Sequence, residues 1–387
     1  MKIAILGNLV GVANEVVIGL RQSGIQADLF IFHSEKHNTF TDRTGQEELK
    51  PDWIYYIDSE PLPCDSLLGK LKHQLRNAFH KVLIVKQLLK YDIIHSYTGS
   101  LNFSVLSYLL FVLYKKKPYL AFATGSDIRE VAQFETGWRG FLMRQFFKRA
   151  SQAFLLNADM VAFKDNLGLN QGEFFPFIIN EEKHDSLDVF REDAHKTKLL
   201  CFMMSNLDFG STDSSRNRNS MKFNDKVFYA LSEYIKNDTN IHLIALDRGP
   251  DREIAKQLVA KLKLEQFVTF HPPMSELERI RHLNMADVVL DQFNIGAFGL
   301  GSLEALSVGK PLVTYFNKDY LADSYVDELP ILNAETVEEI CESLQSLRDE
   351  QVRKKVSKNS RAWLIKHHSR GAVIDKLLSY YKNEIEL

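Results

Sequence analysis

Short runs of Ile, Val, Leu and Phe alternate along this 387-residue chain with longer stretches in which apolar residues recur at helical spacing between charges. The short runs read as parallel strands buried on both faces, and the longer stretches as the helices that connect them. In the first half, strands are expected over 2–6, 27–32, 53–57, 93–95, 119–123 and 153–155, with helices over 14–23, 67–90, 103–114 and 138–149. The rhythm stops near Pro176, where FFPFIINEEKHDSLDVFREDAHKTK is polar, acidic and without apolar period, as an interdomain linker would be. It then resumes, with strands over 199–204, 242–246, 267–271, 288–290 and 311–315 and helices over 225–236, 251–262, 274–283 and 300–308. The pattern predicts an α/β chain of two Rossmann-like doubly wound domains, residues 1–180 and 190–365, with a helix from about 366 to 387 packing back on the first. Ligand sites are then expected at the carboxyl ends of the strands, facing a central cleft.

Composition narrows the class. A formal net charge of -2 lacks the basic excess that a general nucleic-acid binder uses to displace counterions, so no nucleic-acid partner is expected. The charge is uneven, however: residues 68–149 hold 14 Lys and Arg against four Asp and Glu. Such an excess fits solvated helix faces, and it equally fits attraction to an anionic membrane surface or an anionic acceptor. The three cysteines, Cys64, Cys201 and Cys341, lie far apart without paired spacing, which suggests neither a disulfide framework nor a zinc site. The N-terminal MKIAILGNLV reads as a first strand rather than a signal peptide, and the apolar run over 101–114 is shorter than the ~20 residues of a membrane span. A cytoplasmic protein, peripheral to a membrane at most, is expected.

The candidate chemistry concentrates in 291–314, DQFNIGAFGLGSLEALSVGKPLVT. Gly296, Gly299, Gly301 and Ser302 fall between a strand ending near Asp291 and a helix starting near Leu300. That arrangement offers backbone N–H groups and a helix dipole to an anion, while glycine allows close approach. Glu304, one turn in, is placed to accept hydrogen bonds from sugar hydroxyls. Glycine clusters also serve tight turns, so spacing alone leaves both readings open. SNLDFGSTDSSRNRNS, over 205–220, is nearly all small or polar and reads as a loop that either closes over a ligand or is plain surface. His95, ending a strand, lines the cleft or is a hydrogen-bonded structural residue. Asp127, after Gly125 and Ser126, acts chemically or caps the helix that follows. Gly7 and Asn8 approach a phosphate or make the turn. His367 and His368 lack spaced carboxylate or thiolate partners, and no Asp-x-Asp motif is present, so no metal or other cofactor is expected.

GxFGxxxLEAxxxGKPxV, over 296–313, resembles the C-terminal signature of the family-4 retaining glycosyltransferases with the GT-B fold. HPPMSELERIRHLNMADVVLDQF before it, ATGSDIRE at 123–130, DIIHSYTG at 92–99 and the closing RAWLIKHHSRGAVIDKLLSYY resemble further family segments in the right order. The resemblance implies transfer of a sugar from a nucleotide-diphosphate donor to a glycan or lipid-linked hydroxyl acceptor, with retention. A nucleotide-sugar 2-epimerase of the same fold and a degenerate nucleotide-sugar-binding protein are the alternatives. On the family's pattern Glu304 binds the ribose, Gly299, Leu300, Gly301 and Ser302 meet the diphosphate, and the base rests near Pro272. Lys222 in KFND matches the lysine that neutralises the leaving group, with Arg216 or Arg218 standing in for the usual arginine. Gly7, Asn8, His95 and Gly125 fall on the acceptor side, and Asp127 among the catalytic residues. Two positions depart: Gly296 stands where the family carries its first glutamate, a contact Asp291 would have to supply, and Thr124 stands where it carries a histidine.

Overall fold

The structure, a computed structural model, describes residues 1–8, 11–35, 50–59, 66–97, 117–182, 198–210, 218–322 and 324–385. The helix expected over 103–114, most of the expected linker, Arg216 and Cys64 lie outside them. The chain divides into two compact units: the first runs to Ile178 and takes the chain back from Arg370, and the second extends from Ile179 to Ser369.

The first unit contains β1 (Lys2–Leu6), α1 (Val12–Gln22), β2 (Gln26–Ile31), β3 (Ile54–Tyr56), α2 (Leu67–Leu88), β4 (Ile93–Tyr97), β5 (Tyr119–Ala123), α3 (Trp138–Lys148), β6 (Gln152–Leu155), α4 (Ala158–Val161), α5 (Lys164–Leu167) and β7 (Gly172–Phe174). All seven strands pair in parallel, in the order β3-β2-β1-β4-β5-β6-β7. Helices cover both faces of such a sheet, which is why β4 and β5 are buried along their whole length and read as unbroken apolar runs. Ser66 starts α2 by accepting a hydrogen bond from the Gly69 amide.

The second unit contains β8 (Leu199–Met203), α6 (Lys226–Tyr234), β9 (Ile241–Leu246), α7 (Arg252–Lys261), β10 (Val268–His271), α8 (Glu276–Met285), β11 (Val288–Leu290), α9 (Leu300–Ser307), β12 (Leu312–Thr314), β13 (Leu332–Asn333), α10 (Val337–Ser346) and α11 (Glu350–His368). Its six strands are again parallel, in the order β10-β9-β8-β11-β12-β13. Leu199, Cys201 and Met203 of β8 join Val227 and Leu231 of α6 and Leu243 of β9 in its core.

Several features differ from the expected pattern, and α10 and most of α11 were not expected at all. Strands β7 and β13, three and two residues long, are too short to carry a period. Helices α4 and α5 are single turns. A π-helical turn, Asp127–Ala132, stands between β5 and α3. The closing helix is two: α11 ends at His368, Ser369 turns extended (ψ 155°), and α12 (Arg370–Ile385) starts afresh. The break is held by the Ile179 amide, which donates to the His368 carbonyl at 2.8 Å. In the first unit α12 lies on α1 at Gly19, where a Cβ would fall 2.6 Å from Ile374, and Arg370 pairs with Glu15.

Candidate functional site

In the second sheet β8 and β11 are neighbours whose onward connections run in opposite directions, to β9 and to β12. The two connecting helices, α6 and α9, therefore leave a crevice at the carboxyl ends of β8 and β11, where doubly wound sheets hold their ligands. The chain is pinned across it. Ser205, just past β8, donates its hydroxyl to the Asp291 carbonyl past β11 at 3.0 Å. Buried Asn224 donates to Ser205 Oγ and to the Asn206 carbonyl, and accepts from the Asp208 amide. The amides of Lys222 and Phe223 both donate to the Asp208 carbonyl, and Phe223 holds a left-handed φ of 47°. A non-glycine residue keeps that conformation only where its surroundings enforce it. Asp208 is itself buried, as are Ser205 and Leu207, so the polar stretch expected to be a loose loop begins as fixed structure; 211–217 lie outside the described residues.

This pinning sets two cations beside β11. The Lys222 carbonyl accepts from the Phe293 amide at 2.8 Å, and the Asn294 side chain donates to the carbonyls of Arg218 and Met221. The Arg218 guanidinium lies over the Phe223 ring, 5.0 Å from its centroid. Lys222 has no ion-pair partner among the described residues. Past that turn, α9 starts at Leu300, with Gly299 extended before it. The amides of its first turn, Leu300, Gly301 and Ser302 among them, have no partners within the helix and carry the positive end of its dipole.

Three side chains around that turn are already engaged. Asp291, 1% exposed, accepts the Ser302 hydroxyl at 2.5 Å, so the carboxylate proposed to replace the family's missing glutamate faces the foot of α9. Gln292, also buried, winds the turn around its amide: Nε2 donates to the carbonyls of Ala297 and Tyr315, and Oε1 accepts from the amides of Asn294 and Ile295. Glu304 receives both arms of a fork, Arg279 Nε at 2.9 Å and Nη2 at 2.8 Å. Arg279 is held by α8, whose entry is fixed by a capping box between Ser275 and Glu278. That helix starts just past Pro272, whose carbonyl accepts from His271 Nδ1 at 2.8 Å at the end of β10. Gly296 has φ 76°, and a Cβ there would meet Asn317 Cβ at 2.9 Å.

Gly7, Asn8, Gly125 and Asp127 lie just past the carboxyl ends of β1 and β5, whereas His95, expected to end its strand, sits mid-way along β4, and the polar atoms of these candidates serve the fold. Gly7 (φ 82°) donates its amide to Phe30, and the Asn8 amide donates to Glu35, while Asn8 Oδ1 accepts from the Asn14 amide. The Asp127 carboxylate accepts from the amides of Thr124, Gly125 and Ile128, so it is engaged with the turn before the helix; the helix cap itself is Ser126, and it makes no side-chain capping bond. His95 is fully buried, 3.7 Å by ring centroids from Phe122, with Nδ1 2.9 Å from the Tyr381 hydroxyl of α12. Burial holds its pKa well below the ordinary 6.5, so the ring is neutral. Arg129 makes a two-pronged pair with Asp159. No group of three His, Cys, Asp or Glu among the described residues is arranged as metal ligands would be.

Residues 216–363, which include Lys222, Arg279, α9 and Glu304, match the family described as "Glycosyl transferases group 1". This segment of the second unit is similar to the group 1 glycosyl transferases. No curated protein matches the chain. Among solved structures, HepE from Anabaena in complex with UDP superposes with a TM-score of 0.66 at 12% identity, covering 99% of this chain and 100% of that one. Sucrose-phosphate synthase from Thermosynechococcus elongatus gives 0.66 at 12% identity, over 100% of both chains. A putative UDP-N-acetylglucosamine 2-epimerase from Listeria monocytogenes gives 0.59 at 13% identity, over 100% of this chain and 97% of that one. These likenesses establish the fold class as GT-B.

Within this segment, three residues escaped the sequence reading: Arg279, Gln292 and Asn224. Arg279 pairs with a residue 25 positions away, and nothing in RIRHL singles it out. Gln292 and Asn224 act on backbone groups, which sequence does not display.

Proposed function

We propose that this chain is a glycosyl transferase that moves a hexosyl group from a nucleoside-diphosphate donor to a hydroxyl of a glycan or lipid-linked acceptor, with retention of anomeric configuration. The observation that carries this reading is the grouping, at the carboxyl ends of β8 and β11, of the α9 amino terminus, Lys222, Arg218 and the Arg279-held Glu304. Breaking a glycosidic bond to a nucleoside diphosphate leaves negative charge on the departing phosphates, and fixed cations and amides aimed there lower the barrier. In this reading the first-turn amides of Leu300 to Ser302 hold the diphosphate, Lys222 and Arg218 neutralise its developing charge, and Glu304 accepts hydrogen bonds from the ribose hydroxyls. Pro272 borders the base. Asp127 holds the 124–128 turn, Asp291 steadies α9 through Ser302, and Gly7, Asn8, His95 and Gly125 shape the acceptor side. UDP is the nucleotide to test first, since HepE was solved with it.

The test is incubation of the full chain with UDP-sugars, with and without candidate glycan acceptors, followed by NMR of the products. A new glycosidic bond formed only with acceptor, its anomeric coupling matching the donor's, supports the proposal. Conversion of the sugar to its 2-epimer without acceptor would replace it with the epimerase reading, which the likeness to the Listeria protein keeps in view.

A further inference from the structure

Helix α2 is buried on one face and apolar on the other. Ile84 and Leu88 are buried, Asn77 accepts a hydrogen bond from the Ser59 amide, and His80 Nε2 bonds the Tyr56 carbonyl. At 3.6 residues per turn these four share one side. Roughly opposite, Leu68, Leu71, Leu75, Phe79, Val82 and Leu83 form a continuous stripe, each between 49% and 72% exposed. Large aliphatic side chains standing singly on a surface need no explanation, but six in a row along one helix do.

Charge decides what covers them. Residues 67–88 hold Lys70, Lys72, Arg76, Lys81 and Lys86 and no acidic residue. On the helical wheel Lys72, Arg76 and Lys86 fall within or beside the stripe. A second copy packing stripe to stripe across a twofold axis would set this all-basic helix against itself. An anionic bilayer meets both requirements at once, with an apolar interior for the stripe and headgroups for the cations. The helix, about 33 Å long at 1.5 Å per residue, is too polar to span, and no helix among the described residues is long and apolar enough to cross a membrane. At its carboxyl end the stripe runs into a pocket of about 370 Å³ bordered by Leu83, Lys86, Lys90 and Lys2. The pocket's one carboxylate, Asp28, is already paired with Arg21 and accepts from the Tyr91 hydroxyl.

We infer that α2 is an interfacial helix that lies in the plane of an anionic membrane, with Leu68 to Leu83 immersed and Lys72, Arg76 and Lys86 among the headgroups. This inference does not depend on the donor or the reaction.

The test is flotation of the full chain with vesicles of phosphatidylcholine alone and of phosphatidylcholine mixed with phosphatidylglycerol. The wild-type chain is expected to float with the mixed vesicles at least tenfold more than with the neutral ones, and to lose that difference in high salt. Each cation near an anionic surface contributes about fivefold, so the variant Lys72→Gln/Arg76→Gln/Lys86→Gln should bind on the order of a hundredfold less. Leu71→Glu/Leu75→Glu/Phe79→Glu should abolish flotation while keeping a melting temperature close to wild type, because each of these residues is more than half exposed. Equal flotation of the charge variant and wild type, or no flotation of wild type, overturns the inference. So does a wild-type dimer in sedimentation, without lipid, that the apolar-to-Glu variant converts to monomer.

Discussion

Removing the Arg279 guanidinium leaves the Glu304 carboxylate without the fork that aims it. The two side chains retain 27% and 15% exposure, so the pair stands between an open surface pair and a buried one. Exposed pairs contribute ~0.2–1 kcal/mol, and breaking buried ones costs ~3–5 kcal/mol. Partial solvent screening and the two-point geometry place this one at about 1.5–2 kcal/mol. If Glu304 binds ribose, much of that energy appears as lost preorganisation, because an unheld carboxylate must find its rotamer each time the nucleotide arrives. Arg279→Ala should therefore weaken UDP binding about ten- to thirtyfold by titration calorimetry, at ~1.4 kcal/mol per decade. Arg279→Lys keeps the charge but loses the fork, and should recover only part. In a double-mutant cycle with Glu304→Ala the two should couple by ~1 kcal/mol or more. Wild-type or tighter UDP binding by Arg279→Ala would refute the reasoning, because the pair would then be a latch the nucleotide has to break.

Three further outcomes follow from the geometry. Gly296→Glu, which restores the family's carboxylate on paper, should destabilise the chain by ~1–3 kcal/mol without speeding transfer, since φ 76° and the nearby Asn317 Cβ exclude a side chain; a variant with wild-type melting temperature and faster UDP release would contradict this. Chelation with EDTA should leave UDP release from the donor unchanged while Lys222→Ala lowers kcat by ~10²–10³, and loss of activity on chelation would move the charge neutralisation from lysine to a metal. His95, with its folded pKa pushed below the unfolded 6.5 by burial, binds fewer protons folded than unfolded; its stabilising contribution is whole above 6.5 and is lost as pH falls from there toward the folded value. Between about pH 7 and about pH 5, the melting temperature of wild type should therefore fall more steeply than that of His95→Phe, and equal slopes would show that His95 does not titrate on unfolding.

The strands and helices were legible because burial on both faces of a parallel sheet forces apolar runs, and one-sided burial of a helix forces a period of 3.6. Short features went unread, namely β7, β13, the single-turn α4 and α5, and the break at Ser369, which depends on a hydrogen bond from Ile179, 190 residues earlier; so did α10 and most of α11, although they carry a helical period. The site divides the same way. The glycine turn and helix start at Gly299 and Leu300 were legible, because glycine is visible in a sequence and α9 begins where it was expected. Arg279 was not, because one arginine on a solvated helix resembles another until its partner is placed opposite. Gly296 lies between these cases. Its departure from the family's glutamate was visible, and the sequence alone presented it as a contact either absent or supplied by Asp291. Asp291 is instead committed to Ser302, and Gln292 winds residues 292–297 around its own amide, placing Gly296 in a left-handed conformation against Asn317. The carboxylate is therefore absent because this turn is built differently, and one substitution cannot put it back.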